Sequence, residues 1–325
     1  MNIPWSTHGR LAALLALSVI SCGAGAQTPP AKAIRVIVPF PAGGGIDTVF
    51  RFVSPKLSEN LGQPIVIDNR PGASGDIGTE MVAKAPPNGA TLLATFSSFA
   101  SNAALYTRPG FDTVGDFSPI SLLATVPNVL VTNPSLPAKT VSELIALAKR
   151  RPGEILYASI GPGTPAHLSA ELFNSMAGVK MTHVPYKGGP QSVIALISGE
   201  AQLTFTTVVI TLPHINAGKL RALAVTSPKR FIKMPEVLTV NESGLPGYES
   251  NAWYALLAPA KTPQPIIEQM NREVVKVLKL PDIRESLLQQ GAEPVGSTPE
   301  ELGALVKADI EKWTRVVRTA GIKLD

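Results

Sequence analysis

The stretch AIRVIVPFPAGGGIDTVFRFVSPKL, residues 33–57, contains one complete strand–loop–helix unit. Ala33–Phe40 is a short β-branched and apolar run, the composition and length of a strand. It stops at Pro41-Ala42-Gly43-Gly44-Gly45. Ile46, Val49, Phe50, Val53 and Leu57 then recur at i, i+3, i+4, i+7 and i+11, one apolar face of a helix. Gly62 stands where a left-handed residue closes such a helix. A strand handing over to an amphipathic helix through a tight loop is the repeating unit of α/β folds.

Outward from this unit the pattern repeats. Gln63–Asp68 and Thr91–Thr95 read as strands, with a helix over Gly75–Lys84 between them. Ile120–Thr132 is a long extended stretch broken by Pro127, read as a crossing between two lobes. Thr140-Val141-Ser142-Glu143 is a capping box opening a helix that runs to Arg150. A second βα series follows. Its strands are Glu154–Ser159, Met181–Tyr186, Ala201–Thr206 and Leu220–Thr226. Its helices run from Thr164 through Phe173 and near Gln191–Ser198 and Leu212–Ala217. Ser250–Pro259 is a returning extended run. Beyond it the pattern is helical: Ile267, Met270, Val274 and Val277 mark one helix. Thr298, Pro299 and Glu301 cap a last one, whose stripe is Leu302, Leu305, Val306, Ile310, Trp313 and Val317. The alternation predicts mostly parallel sheets.

The chain has 325 residues, 45% apolar and 16% charged, enough for about two globular domains. Its 29 Lys and Arg against 24 Asp and Glu form no basic run interleaved with aromatics, so no nucleic-acid surface is expected. The single cysteine, Cys22, and four scattered histidines offer neither a disulfide framework nor a metal site. Residues 1–26 read as an export leader: Arg10, an apolar stretch from Leu11 to Ile20, then Ala24-Gly25-Ala26 before Gln27. Val19-Ile20-Ser21-Cys22 offers a competing outcome, lipidation at Cys22. Either address lies outside the cytoplasm, which makes NAD and ATP poor candidates. No cofactor is expected.

Two loops stand out chemically. Gly43-Gly44-Gly45 leaves bare amides at a helix N-terminus, where a carboxylate or phosphate binds without a cationic side chain. The same sequence is equally that of a plain turn. Asp47 reads as a helix cap, since its charge repels an anion. Gly161-Pro162-Gly163-Thr164 repeats the arrangement, with Thr164 offering a hydroxyl and His167 close behind. Ser97 and Ser98 occupy the corresponding loop after the third strand, and Tyr186 and Lys187 another. No Gly-x-Ser-x-Gly elbow, P-loop or paired carboxylates supply an enzyme's parts.

RVIVPFPAGGGIDTVFR (35–51), VIDNRPGASGDIGTEMVAKAPPNGATLL (66–93), YASIGPGTPAHLSAELF (157–173), HVPYKGG (183–189) and GAEPVGSTPEEL (291–302) resemble the substrate-binding proteins of tripartite tricarboxylate transporters, the Bug receptors. The resemblance implies a periplasmic binding protein of the venus-flytrap type, type II-like, with mixed sheets and crossing hinge strands. It implies one lobe over 27–124 plus 254–325 and another over 125–253. It further implies a monomer that closes on a small mono- or dicarboxylate for a membrane permease made of other chains. A sensing co-receptor for a signalling kinase is the alternative. The ligand-binding candidates are Ala42, Gly43, Gly44, Gly45, Asp47, Ser97, Ser98, Gly161, Gly163, Thr164, His167, Tyr186 and Thr206. Ile46 replaces a hydroxyl residue common in the family, and Thr206-Thr207 an aspartate–asparagine pair. Pro165 and Ala255 also depart. The departures point away from an amino-acid ligand and toward one with an apolar body.

Overall fold

The computed structural model describes Met1 and residues 33–106, 110–186 and 189–322. Apart from Met1, the leader with Cys22 lies outside them, as does Lys187. The chain builds two mixed sheets. The first has six strands in the order β11-β4-β10-β3-β1-β2. These are β1 (Ile34–Val38), β2 (Ile65–Asn69), β3 (Thr91–Phe96), β4 (Phe117–Val126), β10 (Ala252–Pro259) and β11 (Glu293–Pro294). The second has five, β7-β6-β8-β5-β9: β5 (Asn128–Thr132), β6 (Leu156–Ser159), β7 (Thr182–Pro185), β8 (Leu203–Thr207) and β9 (Arg221–Val225).

The prediction of mostly parallel sheets needs correction. β1 pairs parallel with β2 and β3, and β6 with β7 and β8. Every pairing made by β4, β5 and β10 is antiparallel. Those three strands flank the passages from one sheet to the other, so they enter against the local βα direction. Pro127 separates β4 from β5 at the first passage, where the sequence broke the long extended run.

Both faces of each sheet are covered, which explains the unbroken apolar strands. In β1, Val36 and Val38 face one core with α1 (Gly45–Leu61), α8 (Gln264–Leu278) and α9 (Pro281–Gln289). Ile37, between them, faces the other core, with α2 (Asp76–Ala83), α3 (Ser98–Leu105) and α10 (Pro299–Ala320). Sheet two alternates likewise. Leu130 lies toward α4 (Val141–Arg150) and α5 (Pro165–Ala177). Val129 and Val131 lie toward α6 (Gly189–Ser198) and α7 (Val208–Asn216). The predicted stripes of α1 and α8 are buried throughout. In α10, Leu302, Val306 and Trp313 are buried, while Leu305, Ile310 and Val317 pack at the margin.

Sequence patterning passed over α3 and α9. α3, SFASNAAL, is built of small residues with no large apolar stripe. α7 starts at Val208, earlier than expected, because its run Val208-Val209-Ile210-Thr211 carries β propensity that packing overrides. The α4 box is half formed: Thr140 Oγ1 accepts from Glu143 N, but the Glu143 carboxylate takes the Lys139 N–H rather than that of Thr140. The α10 box is complete. Thr298→Ala removes it and is expected to cost about 1 kcal/mol, lowering Tm by roughly 2–4 °C in a thermal melt.

Candidate functional site

A cavity of about 370 Å³ lies between the sheets, where the chain leaves the C-terminal ends of several strands. Helix N-termini ring it. Gly44, Gly45 and Ile46 bring α1, Pro165 and Ala166 bring α5, Gly189 and Ser192 bring α6, and Thr207 caps α7. The N–H groups of Gly45 and Ile46 in α1, and of Ala166 in α5, donate to no other described residue. Each such terminus favours an anion by about 0.3–1 kcal/mol. Only two of these termini were read from the glycine loops; α6 and α7 enter because the loops that follow β7 and β8, parallel to β6, open on the same side as the loop after β6.

Two smaller compartments adjoin the cavity. One, about 170 Å³, shares Phe40, Phe96, Ile160 and Pro165 with it and adds Ser74, Ser98, Asn102, Tyr106, Gly163 and Thr164. Ser98 Oγ is buried there without a hydrogen-bond partner among the described residues. The other, about 270 Å³, shares Gly45, Thr207, Ile210 and Tyr254 and adds Gly43, Thr48 and Gln290. Among the described residues lining all three, none is Lys, Arg, His, Asp or Glu. The central walls are apolar: Phe40, Phe96, Ile160, Phe205, Ile210 and Ala252. Tyr254 stands in the wall between the central cavity and the Gly43 compartment. Burial pushes its phenol up to about 12, so it is a neutral donor.

The candidates sort by position. Gly44, Gly45 and Thr206 line the central cavity, and Gly43, Ser98, Gly163 and Thr164 line the side compartments. Ala42, Asp47, Ser97, Gly161, His167 and Tyr186 line none of the three. Asp47 is buried and occupied: Oδ2 accepts from Gly43 N at 2.8 Å and Arg51 Nε at 2.8 Å, and Oδ1 from Asn69 Nδ2 at 3.0 Å. Burial alone raises its pKa, but those hydrogen bonds and the Arg51 charge hold it below the ordinary value. Asp47 therefore braces the first loop. Ser97 N donates to Trp253 O, and the Thr164 hydroxyl, expected to face an anion, donates to Gly161 O at 2.7 Å. His167 is turned inward and accepts the Gly163 N–H. Phe40, Phe96, Ile160 and Tyr254 escaped sequence reasoning as individual residues. Their shared signal was only the loss of polar residues around the loops.

Several known proteins are similar to this chain. The profile of the tripartite tricarboxylate transporter family receptor matches residues 49–322. Protein BugT of Bordetella pertussis is 38% identical over 321 residues, covering 97% of this chain and 98% of its own length. The structure of R. palustris Rpa4515 with adipate matches with a TM-score of 0.77 at 38% identity, covering 90% of this chain and 98% of that one. MatC (Rpa3494) from Rhodopseudomonas palustris with bound malate matches at 0.74 and 32%, covering 89% and 100%.

Proposed function

We infer the function of this chain from its membership: it belongs to the tripartite tricarboxylate transporter family of receptors. It is a periplasmic solute receptor, not a catalyst. It captures a small organic carboxylate between a lobe over 27–124 plus 254–325 and a lobe over 125–253, and delivers it as a monomer to membrane permease subunits. The observation that carries this reading is the uncharged cavity ringed by helix N-termini. An anion there is neutralised by backbone dipoles, whose effect grows when lobe closure expels water. Apolar walls between polar side compartments favour a ligand with carboxylates at its ends and methylenes between. The adipate held by Rpa4515 has that form.

Titration calorimetry against mono- and dicarboxylates tests this. Adipate is two carbons longer than malate and lacks its hydroxyl. At about 0.8 kcal/mol per buried methylene it is expected to bind roughly 15-fold tighter. Binding of malate in preference would overturn the apolar-body reading, and no heat with any acid would overturn carboxylate capture. Uptake of the labelled acid, lost on deletion of the gene, tests the permease role.

A further inference from the structure

Two imidazoles brace the second loop, beside its internal bond from the Thr164 hydroxyl to Gly161 O. Gly163 N–H donates to His167 Nδ1 at 2.9 Å. The His167 ring lies flat on His183, with centroids 4.1 Å apart and planes 8° apart. Tyr157 extends the stack, 5.1 Å from His183, and its hydroxyl donates to Glu171 Oε1 at 2.5 Å. His183 Nε2 lies 2.5 Å from Ser159 Oγ. That hydroxyl oxygen accepts from Gly161 N at 3.0 Å and lies 3.1 Å from Gly161 O. The first loop carries the same bond between residues four apart, Gly43 N–H to Asp47 Oδ2, but its acceptor is a carboxylate with a lowered pKa. A carboxylate accepts at any pH above its pKa. An imidazole accepts at Nδ1 only while that nitrogen carries no proton.

We propose that His167 and His183 are the positioning residues of the second loop: an uncharged imidazole pair holds residues 159–164 in the shape that leaves the Ala166 amide free for the ligand, and affinity falls when the pair is protonated. This rests on the reading of the cleft as a carboxylate trap. A proton on His167 Nδ1 would set a donor against the Gly163 donor and place a charge in the stack. The groups facing the pair are Tyr157 from β6 and Glu171 from α5. β8 and α6 contain no ionisable residue, and α10 meets α5 through Trp313 and Val316. Burial holds both rings near pKa 4; at His183 the neighbouring His167 lowers it further and Glu171 only partly offsets this. The pair is therefore neutral across the physiological range.

Two substitutions separate positioning from bulk. His167→Phe keeps a flat ring without an acceptor, and His167→Asn keeps an acceptor without the ring. On folded protein at neutral pH, calorimetry with adipate is expected to show about 10-fold weaker binding for His167→Phe and near-native binding for His167→Asn. Between about pH 5 and pH 4 the wild type should lose affinity more steeply than His167→Asn, because the ligand's own protonation is common to both. Native affinity in His167→Phe, or identical acid limbs, would overturn the proposal. If the wild type binds no carboxylate, the capture reading fails separately. The Gly163 amide resonance then decides the brace: it should move with the titration of the His167 ring, and a resonance that stays fixed would overturn it.

Discussion

Gly45→Ala is expected to weaken ligand binding by about 100-fold or more while leaving a folded protein. Gly45 is the first residue of α1, and Tyr254 reaches across from β10 to lie against it. A Cβ at Gly45 would overlap the Tyr254 hydroxyl and stand 3.0 Å from its Cζ. The phenol is the end of a rigid ring packed against the first core, so it cannot fold aside like a long aliphatic chain. Either the ring swings into the central cavity or the loop is pushed off its amide geometry. Both outcomes would destroy the proposed anion site. Tyr254→Phe removes the overlapping oxygen, so the double variant should recover at least 10-fold of the loss relative to Gly45→Ala alone. Calorimetric affinities of the four proteins make the test. Binding by Gly45→Ala within threefold of native would show that the close approach does not shape the site.

Asp309→Ala is the substitution expected to cost most stability. Trp253 is buried on β10, just after the chain returns to the first sheet, and its Nε1 donates to Asp309 Oδ2 at 2.6 Å. Lys312 Nζ lies 2.7 Å from Asp309 Oδ1 and stacks over the Trp313 ring at 4.6 Å. Alanine would leave a buried indole N–H without an acceptor and a half-buried ammonium without its counter-charge. The expected loss is about 3 kcal/mol, or roughly 6–12 °C in Tm. Asp309→Asn keeps the acceptor for the indole and should lose about 1 kcal/mol. Denaturant titration followed by tryptophan fluorescence reads both. Equal losses for the two variants would mean that the ammonium pair, not the indole bond, supplies the stability.

Much of the architecture was visible in the residue pattern, because local chemistry governs it. The apolar faces of α1 and α8 follow from spacing alone, and Thr298 and Glu301 announced the start of α10. Pro127 marked the change of sheet, since proline has no N–H to continue a ladder. The two glycine loops were legible as amide donors for the same local reason. Elements whose stability comes from their neighbours were not legible. α3 has no stripe of its own and is covered in part by Leu302 and Val306 of α10, which come from far along the chain.

Residue type and order were enough to say that bare amides stand at the ends of strands in two βα series. They could not say which amides stay free. Gly43 and Gly163 each give their N–H to a side chain four residues on, a bond that depends on helix packing. The apolar walls join Phe40 and Phe96 to Ile160 and Tyr254, and the imidazole stack joins residues 157, 167 and 183. Such meetings need strands that pair across long loops, and no spacing along the chain encodes them. Short-range backbone rules therefore supplied the donors, and long-range packing chose the cavity they face.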